Sequence, residues 1–134
     1  FAARFGLEAA GQGGGDLGAR MDRLMRVMPP GPVVIVGTDI PAIAPADIAR
    51  AFAALGRADA VFGPADDGGY WLVGLRRRPR IPSIFGAVRW STSHALADTL
   101  ANCAGLEVAM LGERSDIDTG EDFRAFLARG GLRL

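Results

Sequence analysis

Apolar positions along the chain change period several times, and each change marks an element. Leu17, Met21, Leu24, Met25 and Met28 recur at helical spacing, with Arg20, Asp22, Arg23 and Arg26 on the opposite side. This predicts a helix from Asp16 that Pro29-Pro30 stops. Val33–Val36 is a continuous β-branched run, the mark of a strand buried on both faces; Gly37 ends it and Pro41 cannot extend a ladder. Ile48, Phe52 and Leu55 line one face of a second helix, with Pro45 suited to its first turn. Asp59–Gly63 and Tyr70–Leu75 read as strands, the second rich in aromatic and branched residues. Leu96, Leu100 and Cys103 follow helical spacing, and the hydroxyl of Ser91 or Thr92 is placed to cap that helix. Leu106–Leu111 reads as a short strand. Thr119-Gly120-Glu121-Asp122 has the form of a capping box opening a last helix that buries Phe123, Phe126 and Leu127. Phe1–Gln12 carries little pattern, and Gly13-Gly14-Gly15 reads as a loop. Strands alternate with helices, so the expected class is α/β: one domain over residues 1–134, with right-handed crossovers and a mostly parallel sheet.

Composition narrows the function classes. The chain has 134 residues, 49% of them apolar, with 15 basic and 15 acidic side chains. That balance suits a small globular core and argues against a nucleic-acid surface as the main business. Arg76-Arg77-Arg78 is the one basic cluster, read as a solvated loop. A single cysteine excludes an internal disulfide and a multi-cysteine zinc site; its helical spacing assigns Cys103 to core packing. No apolar run approaches the roughly 20 residues of a membrane span, and no signal peptide is visible, so a cytoplasmic location is expected. The first residue is Phe1 rather than Met, which leaves room for an upstream segment.

Candidate chemistry gathers on one rim. If the crossovers are right-handed, Asp39 follows the Val33 strand, Asp66 and Asp67 follow the second strand, and Asp116 and Asp118 follow the short strand, all at the carboxyl edge where open α/β sheets bind ligands. The amino end of the first helix, behind its glycine loop, faces the same edge and suits a phosphate. A divalent cation would reconcile carboxylates with an anion, since magnesium takes carboxylates, phosphate oxygens and water. Each feature also has a structural reading. Asp39 fits a turn that bonds its own backbone. Asp67-Gly68 is a hairpin-turn signal. Asp116 and Asp118 fit negative charge at a helix start. Gly13, Gly15 and Gly18 match G-x-G-x-x-G, but no buried strand precedes them and Asp16 would repel a pyrophosphate. His94, near a helix start, reads as structural or exposed.

Five blocks in series carry a resemblance: Gln12–Gly18, Gly37-Thr38-Asp39-Ile40-Pro41, Gly63–Tyr70, Trp90-Ser91-Thr92 and Asp116-Ile117-Asp118-Thr119. From about Gly11 to Leu127 the chain resembles the bacterial glycosyltransferase-A-like proteins known as radical-SAM/selenodomain-associated transferases. The resemblance implies a three-layer nucleotide-diphospho-sugar transferase fold and a metal-dependent transfer of a glycosyl or nucleotidyl group. The donor would be a nucleotide sugar or nucleoside triphosphate and the acceptor a small molecule. It implies Asp39, Asp116 and Asp118 as ligands of Mg2+ or Mn2+. Gly13, Gly14, Gly15 and Asp16 would border the nucleotide, and Asp66, Gly68, Gly69, Tyr70, Trp90, Ser91 and Thr92 the acceptor. Asp67 is the first choice of general base. Gly120 stands where the family has proline, and the family's opening strand, basic nucleotide loop and next two strands have no counterpart. The expectation is therefore the carboxyl-terminal two-thirds of the domain. Without that opening strand the Val33 strand would lie on an open edge and pair with a second copy, giving a homodimer. The alternative is a non-catalytic relative that folds and self-associates.

Overall fold

The computed structural model describes residues 5–9, 17–37, 44–90, 92–112 and 123–128. In chain order the elements are β1 (Phe5–Ala9), α1 (Leu17–Val27), β2 (Val33–Gly37), α2 (Pro45–Ala54), β3 (Ala60–Pro64), β4 (Tyr70–Leu75), α3 (Ala95–Ala101), β5 (Val108–Met110) and β6 (Phe123–Ala128). One sheet holds the strands in the order β1-β6-β2-β4-β3-β5. Helices cover both faces, giving the three-layer α/β architecture.

Hydrophobic alternation along the strands divides the core in two. Val33 and Ile35 of β2, Phe62 of β3 and Val73 and Leu75 of β4 face α1, whose Met21, Leu24 and Met25 pack onto them with Met28. Val34 and Val36, Val61 and Leu72 face the other way, against Ile48, Ala51 and Phe52 of α2 and Leu55 beyond it. Each such large side chain stabilises the fold by about 1.5–3 kcal/mol on burial, so neither layer is dispensable. At the start of α2, Pro45 occupies the first turn and the buried Asp47 carboxylate accepts the Ala44 N–H at 2.9 Å and the Arg50 guanidinium at 2.5 Å. Leu96, Leu100 and Cys103 bring α3 and its trailing turn onto the α1 face. Among the described residues no helix is long and apolar enough to cross a membrane.

Four expectations are corrected. The sheet is mixed: β2 pairs antiparallel with β4 and β6, β4 with β3 and β1 with β6, while β3–β5 is parallel. A β3–β4 hairpin, built on the turn that Asp67-Gly68 signals, inserts β4 between β2 and β3. The segment expected as a closing helix is strand β6. Six residues with Phe123, Phe126 and Leu127 satisfy a helical template, but Ala125 and Leu127 enter the α1-side core while Phe126 packs on the α2 side, as a strand requires. Because β6 flanks β2, the Val33 strand is interior, and the dimer expected through its open edge has no edge there to use. Finally, two arginines of the run are engaged while Arg78 is exposed: Arg76 pairs with Asp59, and Arg77, at φ 64°, donates to Met25 O, Met28 O, Pro29 O and Gly31 O, satisfying the open carbonyls at the end of α1. β1, in a stretch without legible pattern, closes the far side of the sheet on β6.

Candidate functional site

β2 and β3 both run antiparallel to β4, and β5 runs parallel to β3, so the carboxyl ends of β2, β3 and β5 reach one edge. There Gly37 lies opposite Phe123, the first residue of β6. The chain therefore leaves β2, leaves β5 and enters β6 on the same rim. Asp39, Asp116 and Asp118 lie outside the described residues, as do Gly13, Gly14, Gly15, Asp16 and Ser91. Among the described residues no group of three or more His, Cys, Asp or Glu side chains is placed to hold a metal.

The expected acceptor side is described almost in full. Ala65–Gly69 links β3 to β4 as a tight turn, closed by Gly68 N–H to Ala65 O at 3.2 Å and Ala65 N–H to Gly69 O at 2.9 Å. Asp67 is exposed and one carboxylate oxygen accepts the Gly69 N–H at 2.9 Å, so it serves the hairpin whatever else it does. Asp66 is exposed beside it. Gly68 has φ 89°, and a Cβ there would stand 2.2 Å from Ser93 O; the Leu96 N–H donates to Gly68 O at 2.9 Å. Glycine is required at this position for both its backbone and its contact. The turn is thus seated on the chain that leads into α3.

A register shift between Gly63 and Pro64 re-aims the first residues of β4. Tyr70 turns to the α1 side and Trp71 to the α2 side, where strict alternation would put Trp71 with Val73. Trp71 lies across Gly63, whose Cβ would come 2.4 Å from the indole, and its N–H donates to Gly112 O at 3.3 Å, fixing the chain as it leaves β5.

Tyr70 does not present its hydroxyl. Thr99 Oγ1 donates to Ala95 O at 2.8 Å, which makes Tyr70 the donor in its 3.2 Å bond to Thr99. Burial pushes the phenol well above its ordinary value. What Tyr70 offers is a ring, edge-on to Phe62 at 5.2 Å and to Trp90 at 6.3 Å. The half-buried Trp90 also meets Phe85 at 6.5 Å and covers Gly18, whose Cβ would stand 3.0 Å from the indole and 2.5 Å from Phe85 O. The third glycine of the apparent G-x-G-x-x-G is therefore a packing glycine, and the amino end of α1 reaches the same rim as expected. Thr92 does not cap α3, whose first flanking residue is His94 without a side-chain cap; its hydroxyl donates to Arg89 O at 2.6 Å and accepts His94 N–H at 3.1 Å. The residues that sequence reasoning missed are those that hold this arrangement: Arg89, Asp98 and Thr99, for which the sequence offers no local spacing signal.

Residues 2–92 match the family described as "Uncharacterized protein conserved in bacteria (DUF2064)". The chain belongs to that family. Among solved structures it is similar to a candidate nucleotide-diphospho-sugar transferase of Desulfovibrio desulfuricans G20, at 36% identity and a TM-score of 0.71 over 81% of this chain. That match covers 49% of the other chain, so this one spans about half its length. No curated protein matches. The DUF2064 chain thus has a nucleotide-diphospho-sugar-transferase-like α/β fold.

Proposed function

We propose that this DUF2064 protein is a cytoplasmic, metal-dependent transferase that moves a glycosyl or nucleotidyl group from a nucleotide donor to a small acceptor. The observation that carries this reading is the 36% identity to the Desulfovibrio protein, which extends over 81% of the chain at a TM-score of 0.71. The common rim of β2, β3, β5 and β6 supports it. The segments carrying Asp39 and the pair Asp116 and Asp118 leave that rim, and an all-carboxylate donor set suits a hard divalent cation. Mg2+ or Mn2+ held by these residues would neutralise the charge of the departing phosphate. On the chain's own side, the aromatic wall of Tyr70 and Trp90 excludes water beside the acceptor, and the seated turn orients Asp67. Asp67 is exposed at the rim and stands as the candidate to take the acceptor's proton. Gly13, Gly14, Gly15 and Asp16, just ahead of α1, would border the nucleotide.

The test is a thermal-shift panel of nucleotide sugars and nucleoside triphosphates with and without Mn2+. A donor at a hundredfold over its dissociation constant adds about 2.7 kcal/mol of apparent stability. Asp39→Asn removes the metal-dependent part of the shift. No shift with any donor overturns the reading and leaves a non-catalytic relative; a shift that survives Asp39→Asn overturns the metal assignment.

A further inference from the structure

Trp90 stands between two parts of the rim: the turn Ala65–Gly69, reached through Tyr70, and the amino end of α1, reached through Gly18. The segment before it forms no helix or strand from Arg76 onward; there Trp90 N–H donates to Val88 O at 3.0 Å and Asn102 holds Ile84 O and Gly86 O, but none of these bonds fixes residue 90 against the body of α3. The neighbouring residue does. Asp98 of α3 takes three bonds from Arg89, each 2.9 Å: the backbone N–H and Nε on Oδ2, and Nη2 on Oδ1. A planar guanidinium gripping both carboxylate oxygens, with the backbone bound as well, sets position and orientation together. Thr92 closes the other side by donating to Arg89 O. Arg89 shows 61% of its side chain and Asp98 18%, so solvent screens much of the attraction between the charges, while the three-bond geometry remains specific. The geometry is better matched to placing the indole than to holding the fold.

We infer that Arg89 and Asp98 are positioning residues for the acceptor: their clasp holds the Trp90 indole as a fixed wall between the Ala65–Gly69 turn and α1. The functional half of this inference rests on the transferase reading; the placement of Trp90 does not. Asp98, kept ionised far into acid chiefly by its bonds to Arg89, maintains the clasp at any working pH.

The experiment compares Asp98→Ala, Arg89→Lys and Asp98→Glu with the native chain by two readouts. The first is acrylamide quenching of tryptophan emission. Trp71 is 2% exposed, so the quencher reports Trp90. The second is steady-state transfer from whichever donor shifts the melting curve, with glucose 1-phosphate as acceptor probe. In Asp98→Ala, quenching steepens toward that of the urea-unfolded chain. The acceptor KM rises about tenfold, while kcat and donor KM stay near native values, the signature of lost acceptor binding alone. Arg89→Lys keeps the charge but loses the fork and moves the same way by less; Asp98→Glu recovers part of both readouts. Unchanged quenching in Asp98→Ala and Arg89→Lys overturns the clasp. Steeper quenching with an unchanged acceptor KM, or a rise in donor KM instead, overturns its role toward the acceptor. If the native chain transfers nothing, the transferase reading and the acceptor role fail together, and quenching alone decides the placement of Trp90.

Discussion

Replacing Gly68 by alanine probes the seat of the Ala65–Gly69 turn, and Gly105→Ala provides its internal control. Both glycines have nearly the same left-handed backbone, φ 89° and 87°. They differ in surroundings: a Cβ on Gly68 would stand 2.2 Å from Ser93 O and 2.6 Å from its carbonyl carbon and Cα, while nothing lies within 4 Å of one on Gly105. Both variants incur the left-handed penalty of about 1–2 kcal/mol. Both recover about 0.4–1 kcal/mol from the stiffer unfolded chain. Gly105→Ala should therefore destabilise by about 0–1.6 kcal/mol. Gly68→Ala adds a clash with backbone, which cannot swing aside, and overpacking of this kind costs about 1–3 kcal/mol. The total, about 2–4 kcal/mol, also includes separation of Leu96 N–H from Gly68 O. Urea unfolding at a common m-value measures the difference directly. If the two variants agree within about 0.5 kcal/mol, the turn is not seated on Ser93 and its packing is misassigned.

Tyr70 is the single tyrosine, so alkaline titration followed by tyrosinate absorbance reports one group. Burial raises its native pKa above the ordinary 10, so its contribution is fully present below pH 10 and is lost as the pH climbs, when the unfolded chain gives up the proton first. Absorbance should rise only with unfolding; a reversible titration near pH 10 in the folded chain refutes the bond to Thr99. Cys103, the single cysteine, is buried in the α1-side core, and that burial pushes its thiol up to about 11. Ellman's reagent at pH 8 should leave it untouched in the native protein and label it fully in urea; equal rates in both refute its burial. Arg77→Ala strips four carbonyls at the end of α1 of their donor and should lower stability by about 2–3 kcal/mol in urea unfolding. Arg77→Lys should recover little, because an ammonium cannot span that fork of acceptors. A loss under about 0.5 kcal/mol in the alanine variant would show that water replaces the guanidinium.

How far the site could be read in advance depended on whether its partners were local. The Asp67-Gly68 turn was legible because a turn announces itself within a few residues, whereas the glycine loop ahead of α1 and Asp39, Asp116 and Asp118 lie outside the described residues. The common edge of β2, β3 and β5 followed from strand direction, and it survives the change from a parallel to a mixed sheet because those strands still point the same way. The Arg89–Asp98 clasp, the Tyr70–Thr99 bond 29 positions apart and the Gly18–Trp90 contact were not legible. Side chains that meet across the fold leave no period in the chain.

The same division holds for the fold. By itself the sequence determined which stretches are amphipathic helices and which are strands buried on both faces, since those properties belong to consecutive residues: α1, β2, α2, β3, β4 and α3 follow from spacing alone. Only the tertiary structure decided that Phe123–Ala128 is a strand, that it lies beside β2, and that β4 slips between β2 and β3. Six apolar-rich residues fit a helix and a strand about equally well. The choice is made by a ladder of hydrogen bonds offered by β1 and β2, which lie more than eighty residues away along the chain.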